Sequence, residues 1–257
     1  MTDWNPDSYA RFTGLRLRPA ADLLAQVPGD LPPGPVVDLG CGAGAAGPLL
    51  RARYGSRRIE GLDSSAAMLD KARGTACYDS LADADIATWH PADPPALIFS
   101  NAVLHWLGPH DTLLPRLVQG LAPGGVLAVQ MPGQHDAPSH RLARDTAWGL
   151  FPALGPAAPD RPAVATPDAY WHLLSPHGTV SAWETTYLQH LAPVPSGHPV
   201  RAFTESTVLR PILAPLDPDQ QATFLAAYDA ALDLAYPRLR DGSALFPFRR
   251  VFFVVRT

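Results

Sequence analysis

The stretch PVVDLGCGAGAAGPLLRARYGSRRIEGLDSS, residues 35–65, joins two strand-like runs through a glycine-rich turn and a helix. The first apolar run, Val36–Leu39, ends directly at the glycines, and an amphipathic run over Gly44–Tyr54 follows. A second strand, Arg58–Leu62, ends at Asp63. A strand, a glycine turn, a helix and a second strand in this order are typical of the nucleotide-binding half of an α/β fold.

The alternation of strands and helices continues to about residue 131. Strands that are almost wholly apolar predict a parallel sheet that is covered by helices on both faces. Because crossovers between parallel strands are right-handed, the predicted fold class is α/β with a doubly wound, mostly parallel sheet. The remaining elements predicted for this part are helices at Ser65–Arg73 and His110–Leu121, and strands near Ala76–Tyr78 and at Ala96–Asn101 and Val126–Met131.

The second half of the chain has a different character, because proline and glycine become frequent. Its predicted helices are Ser139–Phe151, Thr166–Leu174 and Gln220–Ala235. Two late strands, Val180–Leu191 and Phe246–Val255, are predicted to pair at the sheet edge, while the insertion between them folds as a helical cap. We expect one domain over residues 1–257, with a core at about 30–132 plus strands 180–191 and 246–255, and a cap from 1–25, 133–175 and 196–242.

The composition indicates an ordinary globular protein of 257 residues, of which 47% are hydrophobic. A net charge of −4 gives no basic footprint for nucleic acid, and no apolar run resembles a signal peptide or a membrane span. The two cysteines, Cys41 and Cys77, match no metal-ligand spacing and are expected to be reduced, buried thiols. We therefore expect a cytoplasmic protein that binds no metal, nucleic acid or membrane; the sequence makes no prediction of oligomeric state.

The charges around the glycine turn restrict the ligand. Gly40, Gly42 and Gly44 allow a ligand to approach the backbone closely, but Asp38 precedes them and would repel a pyrophosphate. This carboxylate could instead attract a cationic amino-acid group, and Asp63 lies where a carboxylate accepts both ribose hydroxyls. A ligand with a ribose and a cationic end but no phosphate is S-adenosyl-L-methionine (SAM). The alternatives are a glycine turn that only packs the helix on the strand, and NAD, which Asp38 disfavours.

A further acidic residue extends this prediction. Asp85 and Ile86 follow the third predicted strand, so that Asp85 could bind the adenine amino group while Ile86 covers the ring. Taken alone, Asp85 is better explained as a carboxylate that caps a helix or a loop. Asp38, Asp63 and Asp85 together are a more specific set than any one of them.

Several motifs in a fixed order carry a resemblance to a known family. The motifs DLGCGAG, GLDSS..ML, ADI..W, FSNAVLHWL and LAPGGVLAVQMP resemble those of the class I SAM-dependent methyltransferases. Within that class the chain resembles the trans-aconitate 2-methyltransferases, in the N-terminal DWNPDSY..F..LR.RPA.DLL and in VQMP.....PSH, TTY, VLRP and FP.R..F.V.R. This narrower resemblance spans essentially the whole chain.

The resemblance implies a Rossmann-like, seven-stranded sheet with an antiparallel C-terminal edge strand and a helical cap. It implies SAM as cofactor and the transfer of its methyl group to a carboxylate of a small polycarboxylic acid, such as trans-aconitate. A carboxylate is already ionised at neutral pH, so no catalytic acid or base is required. The expected cofactor-binding residues are Asp38, Gly40, Gly42, Gly44, Asp63, Ser64, Met68, Asp85, Ile86 and Asn101.

Arginine suits the acceptor because its planar fork binds a carboxylate through two hydrogen bonds. Arg18 and Arg210 match the family motifs, and the other candidates are Arg16, Arg249 and Arg250, although any one of them could be a surface ion pair. His105 and Trp106 follow the fourth predicted strand at the carboxyl edge, where His105 could hydrogen-bond the acceptor. The remaining substrate candidates are the aromatic residues Trp4, Tyr9 and Tyr187, which plain packing would also explain.

The chain departs from the family pattern at several positions. Alanines at 45 and 46 replace the usual polar helix cap, and Gln134, His135, Phe203 and Val208 differ from the expected residues. The departures at Phe203 and Val208 lie in the predicted cap, and they leave two alternatives to methylation of a polycarboxylic acid. One is a hydroxyl or carrier-bound acid as acceptor, with His105 as a possible base; the other is a SAM-binding protein without turnover.

Overall fold

The computed structural model of the chain describes residues 13–155, 164–205 and 207–257. The strands are β1 (Val36–Leu39), β2 (Ile59–Asp63), β3 (Ser80–Asp83), β4 (Leu97–Asn101), β5 (Val126–Pro132), β6 (Thr179–Leu191) and β7 (Ala244–Arg256). The α-helices are α1 (Thr13–Ala25), α2 (Gly47–Tyr54), α3 (Ala66–Arg73), α4 (His110–Gln119), α5 (Pro138–Leu150), α6 (Pro167–Leu174), α7 (Pro199–Thr204), α8 (Arg210–Leu213) and α9 (Pro218–Ala235).

The seven strands form one sheet in the order β3-β2-β1-β4-β5-β7-β6. The strands β1 to β5 pair in parallel, and β7 runs antiparallel to β5. The predicted doubly wound α/β fold is confirmed, as is the antiparallel C-terminal strand, beyond which β6 is outermost. The strand order reverses between β1 and β4, and ligands of such sheets bind beside this point at the carboxyl ends of the strands.

One predicted strand is wrong. Residues 76–78 are not a strand; the third strand begins only at Ser80. Ala76 has a left-handed φ of 53°, which breaks an extended run, and the Tyr78 side chain is hydrogen-bonded to another strand. The helix after the glycines also begins late, at Gly47 instead of near Gly44, whose φ is 81°. Its cap residue, Ala46, makes no side-chain hydrogen bond, as the loss of the polar cap predicts.

Apolar residues cover both faces of the parallel strands. On one face Leu127, Val129 and Phe253 belong to the main apolar core, which includes buried residues of α4 and α6. Tyr170 of α6 packs on Phe253 with ring centroids 4.9 Å apart. Its hydroxyl group is hydrogen-bonded to the Nδ1 of His110 at 2.7 Å. Helix α1 contacts β5. None of the helices in the described ranges is both long enough and apolar enough to cross a membrane.

The chain divides into two compact units. The first contains Met1–Pro132, Ala163–Thr185 and Arg250–Thr257, and the second contains Gly133–Pro162 and Thr186–Arg249. Helices α1 and α6, which the sequence predicted as part of the cap, group with the first unit, because α1 packs on β5 and α6 on α4. In the second unit α5 packs along α9, and Tyr228 donates a 2.7 Å hydrogen bond to the Ser139 carbonyl. The division into a core and a cap stays a prediction.

Candidate active site

The glycines of the turn after β1 have different structural roles. Gly40, Gly42 and Gly44 all have left-handed φ angles, of 77°, 53° and 81°. A Cβ atom on Gly40 would lie 2.5 Å from both methyl groups of Val103, so this glycine is required for packing. A Cβ atom on Gly42 would meet nothing within 4 Å. Gly42 is therefore the position of the turn at which the backbone is open to a ligand.

Alanine substitutions should separate these two roles. We expect Gly40→Ala to destabilise the fold by about 2–5 kcal/mol, since it adds a clash with Val103 to the cost of a left-handed alanine. Gly42→Ala should cost only about 1–2 kcal/mol, because its side chain meets no other atom. Urea unfolding of both variants measures these differences, and equal losses of stability would contradict the assignment. Gly42→Ala should also weaken cofactor binding.

The carboxylate of Asp63 is fixed by backbone donors at the end of β2. Its Oδ2 accepts a 2.9 Å hydrogen bond from the Gly42 amide, and its Oδ1 accepts one of 2.9 Å from the Ser65 amide. Ser64, which lies between Asp63 and Ser65 in the chain, is exposed, whereas Met68 in the first turn of α3 is buried. Because each carboxylate oxygen has a second lone pair, Asp63 remains able to accept two ligand hydroxyls while it ties the glycine turn to β2.

Asp38 is enclosed in β1, with 2% of its surface exposed. Tyr78 donates a 2.7 Å hydrogen bond to its Oδ2. Burial raises the pKa of Asp38 to about 7, an effect that the Tyr78 hydrogen bond opposes and the charge of Asp63 reinforces. At neutral pH the group is therefore poised between its two charge states, and a bound cation would favour the carboxylate.

The sequence interpretation missed Tyr78. The Tyr78 hydroxyl binds Asp38, and its ring packs against the backbone of three glycines. Cβ atoms added to these residues would lie 3.2, 2.9 and 3.0 Å from the ring at Gly44, Gly47 and Gly61. An aromatic residue just before a strand carries no signal of this role, because its partner in β1 is forty residues away.

The loop after β3 is held by a residue that the sequence analysis also missed. Arg116 of α4 donates to the carbonyl groups of Ile86, at 2.8 Å, of Ala87, at 3.0 Å, and of Trp89. Asp85 is exposed and accepts a 2.9 Å hydrogen bond from the Ala87 amide, the loop-capping role that was the alternative for this residue. Ile86 is buried. The loop predicted to contact adenine therefore has a fixed backbone.

On the other side of the switch point, β4 is tied to β1 by a 2.9 Å hydrogen bond from the Ser100 hydroxyl to the Leu39 carbonyl. Asn101 ends β4, and a turn of 3-10 helix follows with His105 and Trp106. Their rings lie with centroids 4.5 Å apart, and Trp106 is 55% exposed. The first unit thus brings Asp38, Asp63 and Asn101 to the carboxyl ends of adjacent parallel strands.

The residues predicted to hold the acceptor have diverse environments. Arg18 is 75% exposed on α1 and forms an ion pair with Asp22 at 3.8 Å. Arg210 begins α8, and Tyr187 is buried in β6, both in the second unit. Arg250 is 4% exposed in the first unit. Trp4, Tyr9 and the side chain of Arg16 lie outside the described part of the chain.

The comparisons with known proteins identify the family. A profile described as a methyltransferase domain matches residues 9–192. The trans-aconitate 2-methyltransferase of Methylobacterium nodulans is 48% identical over 260 residues, which cover 100% of this chain and 99% of that protein. The protein of the same name from Paracidovorax citrulli is 44% identical over 263 residues, with coverage of 100% and 99%. The chain belongs to the trans-aconitate 2-methyltransferase family.

Solved structures agree with this family at the level of the fold. The YcgJ protein from Bacillus subtilis superposes with a TM-score of 0.60 and 10% identity, over 93% of this chain and 98% of that one. The phosphoethanolamine N-methyltransferase 2 of Haemonchus contortus gives a TM-score of 0.51 and 13% identity, over 93% and 52%.

Two departures from the pattern of the trans-aconitate 2-methyltransferase family have structural roles. The Oε1 of Gln134 accepts a 2.9 Å hydrogen bond from the Arg249 amide, and its Nε2 donates to the Pro247 carbonyl at 3.3 Å. Phe203 packs edge-on against Phe246 and Phe248, with ring centroids 5.3 and 5.5 Å apart. Both residues support the second unit from within, so their side chains are explained without an acceptor.

Proposed function

We propose that this enzyme transfers the methyl group of SAM to a carboxylate of a small polycarboxylic acid, with trans-aconitate as the acceptor. The observation that carries the proposal is the 42–48% identity, along the whole chain, to proteins named trans-aconitate 2-methyltransferase. A likeness limited to residues 36–131 would concern only the methyl donor, whereas this one includes both ends of the chain.

The groups beside the switch point fit SAM. The cofactor supplies a methyl group on a positively charged sulfur. The open backbone at Gly42 leaves room beside the turn, and the fixed carboxylate of Asp63 is suited to two ribose hydroxyls. Asp38 supplies a buried negative charge for the cationic end, and Ile86 an apolar surface for adenine. A donor set with two carboxylates suits a ligand that carries a positive charge and no phosphate.

Methyl transfer requires the protein to position the two reactants and to remove water from around them. Transfer of a methyl group from a sulfonium is an in-line displacement, which alignment of the reacting atoms accelerates strongly. The acceptor carboxylate, with an ordinary pKa near about 4, is ionised at neutral pH. The side chains therefore need only to hold the other carboxylates, orient the reacting one and exclude water.

His105 provides a test of this mechanism. We expect His105→Ala to lower kcat for trans-aconitate by less than about tenfold, because a carboxylate needs no base, whereas loss of a general base costs about 10²–10⁴-fold. Steady-state kinetics at saturating SAM measure this effect. A loss of most activity would indicate an acceptor that must be deprotonated, such as a hydroxyl.

The acceptor itself is identified by incubating the enzyme with methyl-labelled SAM and a panel of di- and tricarboxylic acids, followed by mass spectrometry of the products. The expected product is a monomethyl ester of trans-aconitate, formed faster than any ester of the saturated acids. Absence of transfer to trans-aconitate, while SAM still binds, would overturn the proposed acceptor and leave the fold and cofactor assignments intact.

A further inference from the structure

The interior of β5 contains a polar side chain that forms no hydrogen bond with any other described residue. Gln130 is 0% exposed, and neither its Oε1 nor its Nε2 has a hydrogen-bond partner among the described residues. The Oδ1 of Asn101 is likewise buried and lacks a partner there. Buried amides are nearly always hydrogen-bonded, since an unpaired group loses its hydration without compensation. A glutamine in this environment needs a partner from outside the described residues, either a ligand or an ordered water.

The sheet register brings these two amides together. Asn101, the last residue of β4, pairs with Gln130 of β5, which in turn pairs with Phe252 of β7. Side chains of directly paired residues lie on the same face of a sheet. The two amides are thus neighbours near the carboxyl ends of β4 and β5, where ligands of such sheets bind.

The other side chains of this face define the chemistry of the ligand. Arg250 pairs with Pro132, two residues beyond Gln130 on β5, so its side chain leaves the sheet on the same face. It is a nearly buried cation, with 4% of its surface exposed. Phe252, which pairs with Gln130, stacks on Trp183 with the ring planes 6° apart. An amide donor and a guanidinium on one face of the sheet suit a carboxylate.

We propose that the Nε2 of Gln130 donates a hydrogen bond to a carboxylate group of the acceptor acid, so that Gln130 is a substrate-binding residue. This inference rests on the proposed function. Helix α1, which packs on β5, would keep such a carboxylate away from bulk water, as a displacement by a charged oxygen requires.

The test replaces Gln130 by residues of similar length. Gln130→Met removes the amide, and we expect its KM for trans-aconitate to rise by about tenfold or more, the loss of a hydrogen bond to a charged group. Gln130→Glu should raise KM further, because it opposes the acceptor with a like charge. The Kd for SAM should stay within about twofold in both variants, and the Tm of Gln130→Met should not fall, since no unpaired amide remains buried.

A matched control is Gln189 of β6, which is also buried and has an unpaired Oε1 among the described residues. Gln189→Met should leave KM unchanged. Should Gln130→Met fold poorly, Gln130→Asn, which withdraws the amide by one methylene, should raise KM instead. Calorimetric titration of trans-aconitate into enzyme saturated with S-adenosylhomocysteine gives the same comparison without turnover.

The outcomes separate the two proposals. If wild-type enzyme methylates trans-aconitate and both Gln130→Met and Gln130→Asn keep KM and acid affinity within twofold, Gln130 binds only an ordered water and the inference is overturned. If wild-type enzyme binds and methylates no polycarboxylic acid, the proposed function fails and the inference fails with it.

Discussion

Asp63→Ala should lower the affinity for SAM by about a hundredfold or more. Each hydrogen bond that a charged group makes contributes about 1.5–3 kcal/mol, and the proposed role of Asp63 is to accept two from the ribose. The substitution also leaves the Gly42 and Ser65 amides without their present acceptor, so that the glycine turn loses its tie to β2. Calorimetry with SAM measures the loss, and circular dichroism confirms that the variant is folded.

Asp70→Ala is the matched control for this prediction. Asp70 is an exposed carboxylate on α3, paired with Arg73, and its removal should leave the Kd for SAM unchanged. Asp63→Asn, which retains one acceptor oxygen, should lie between the two. Equal affinities of the Asp63→Ala and Asp70→Ala variants would show that Asp63 does not contact the cofactor.

Asp38→Asn should stabilise the protein without ligand at neutral and alkaline pH. Burial raises the pKa of Asp38 from its ordinary value of 3.8 to about 7, so the folded chain holds a proton that the unfolded chain releases. Below pH 3.8 the group is protonated in both states and costs nothing; as pH rises towards 7 the cost grows, and above 7 it is constant. The neutral amide avoids this cost, which is on the order of 4 kcal/mol at full effect.

Urea unfolding of the wild-type protein and of Asp38→Asn at a series of pH values tests the direction of this stability change. The variant should gain little at pH 4 and most at pH 8, whereas a gain that does not depend on pH would contradict it. The same substitution should weaken SAM binding, since it removes the charge proposed to attract the cationic end of the cofactor. For the wild-type enzyme the affinity for SAM should accordingly rise with pH through about 7, in step with the ionisation of Asp38.

Most of the fold follows from local patterns in the sequence. The strand Val36–Leu39 has the predicted bounds, and the ends of the late strands lie within two residues of the prediction. Apolar runs and glycine or proline boundaries are strong signals, because they reflect burial and backbone geometry directly. The third strand was misplaced because no local pattern shows the left-handed backbone of Ala76 or the hydrogen bond of Tyr78 to Asp38 of β1.

The candidate site was predictable in part. Asp38, the glycines and Asp63 follow one another along one strand–helix–strand unit, so their spacing carries the signal. Tyr78 and Arg116 act through partners that only the fold brings near, and Gln130 lies beside Asn101 only because β4 pairs with β5; no local pattern marks these three residues. The motif predicts a substrate-binding role for Arg18, which the structure shows exposed and paired with Asp22; this role stays a prediction.

The Tyr78 ring restricts which residue types can stand at neighbouring positions of the chain. Because it lies against the positions where Gly44, Gly47 and Gly61 would carry side chains, those three glycines and the tyrosine should vary together among relatives. The ring is one constraint among several, because a Cβ atom on Gly47 would also lie 2.9 Å from the Cys77 Cβ, and one on Gly61 would lie 2.5 Å from a Leu81 methyl group. Tyr78→Ala should therefore reduce the cost of Gly47→Ala without abolishing it, and such partial compensation would show that packing within the first unit helps to preserve the glycine-rich signature, independently of any contact with the cofactor.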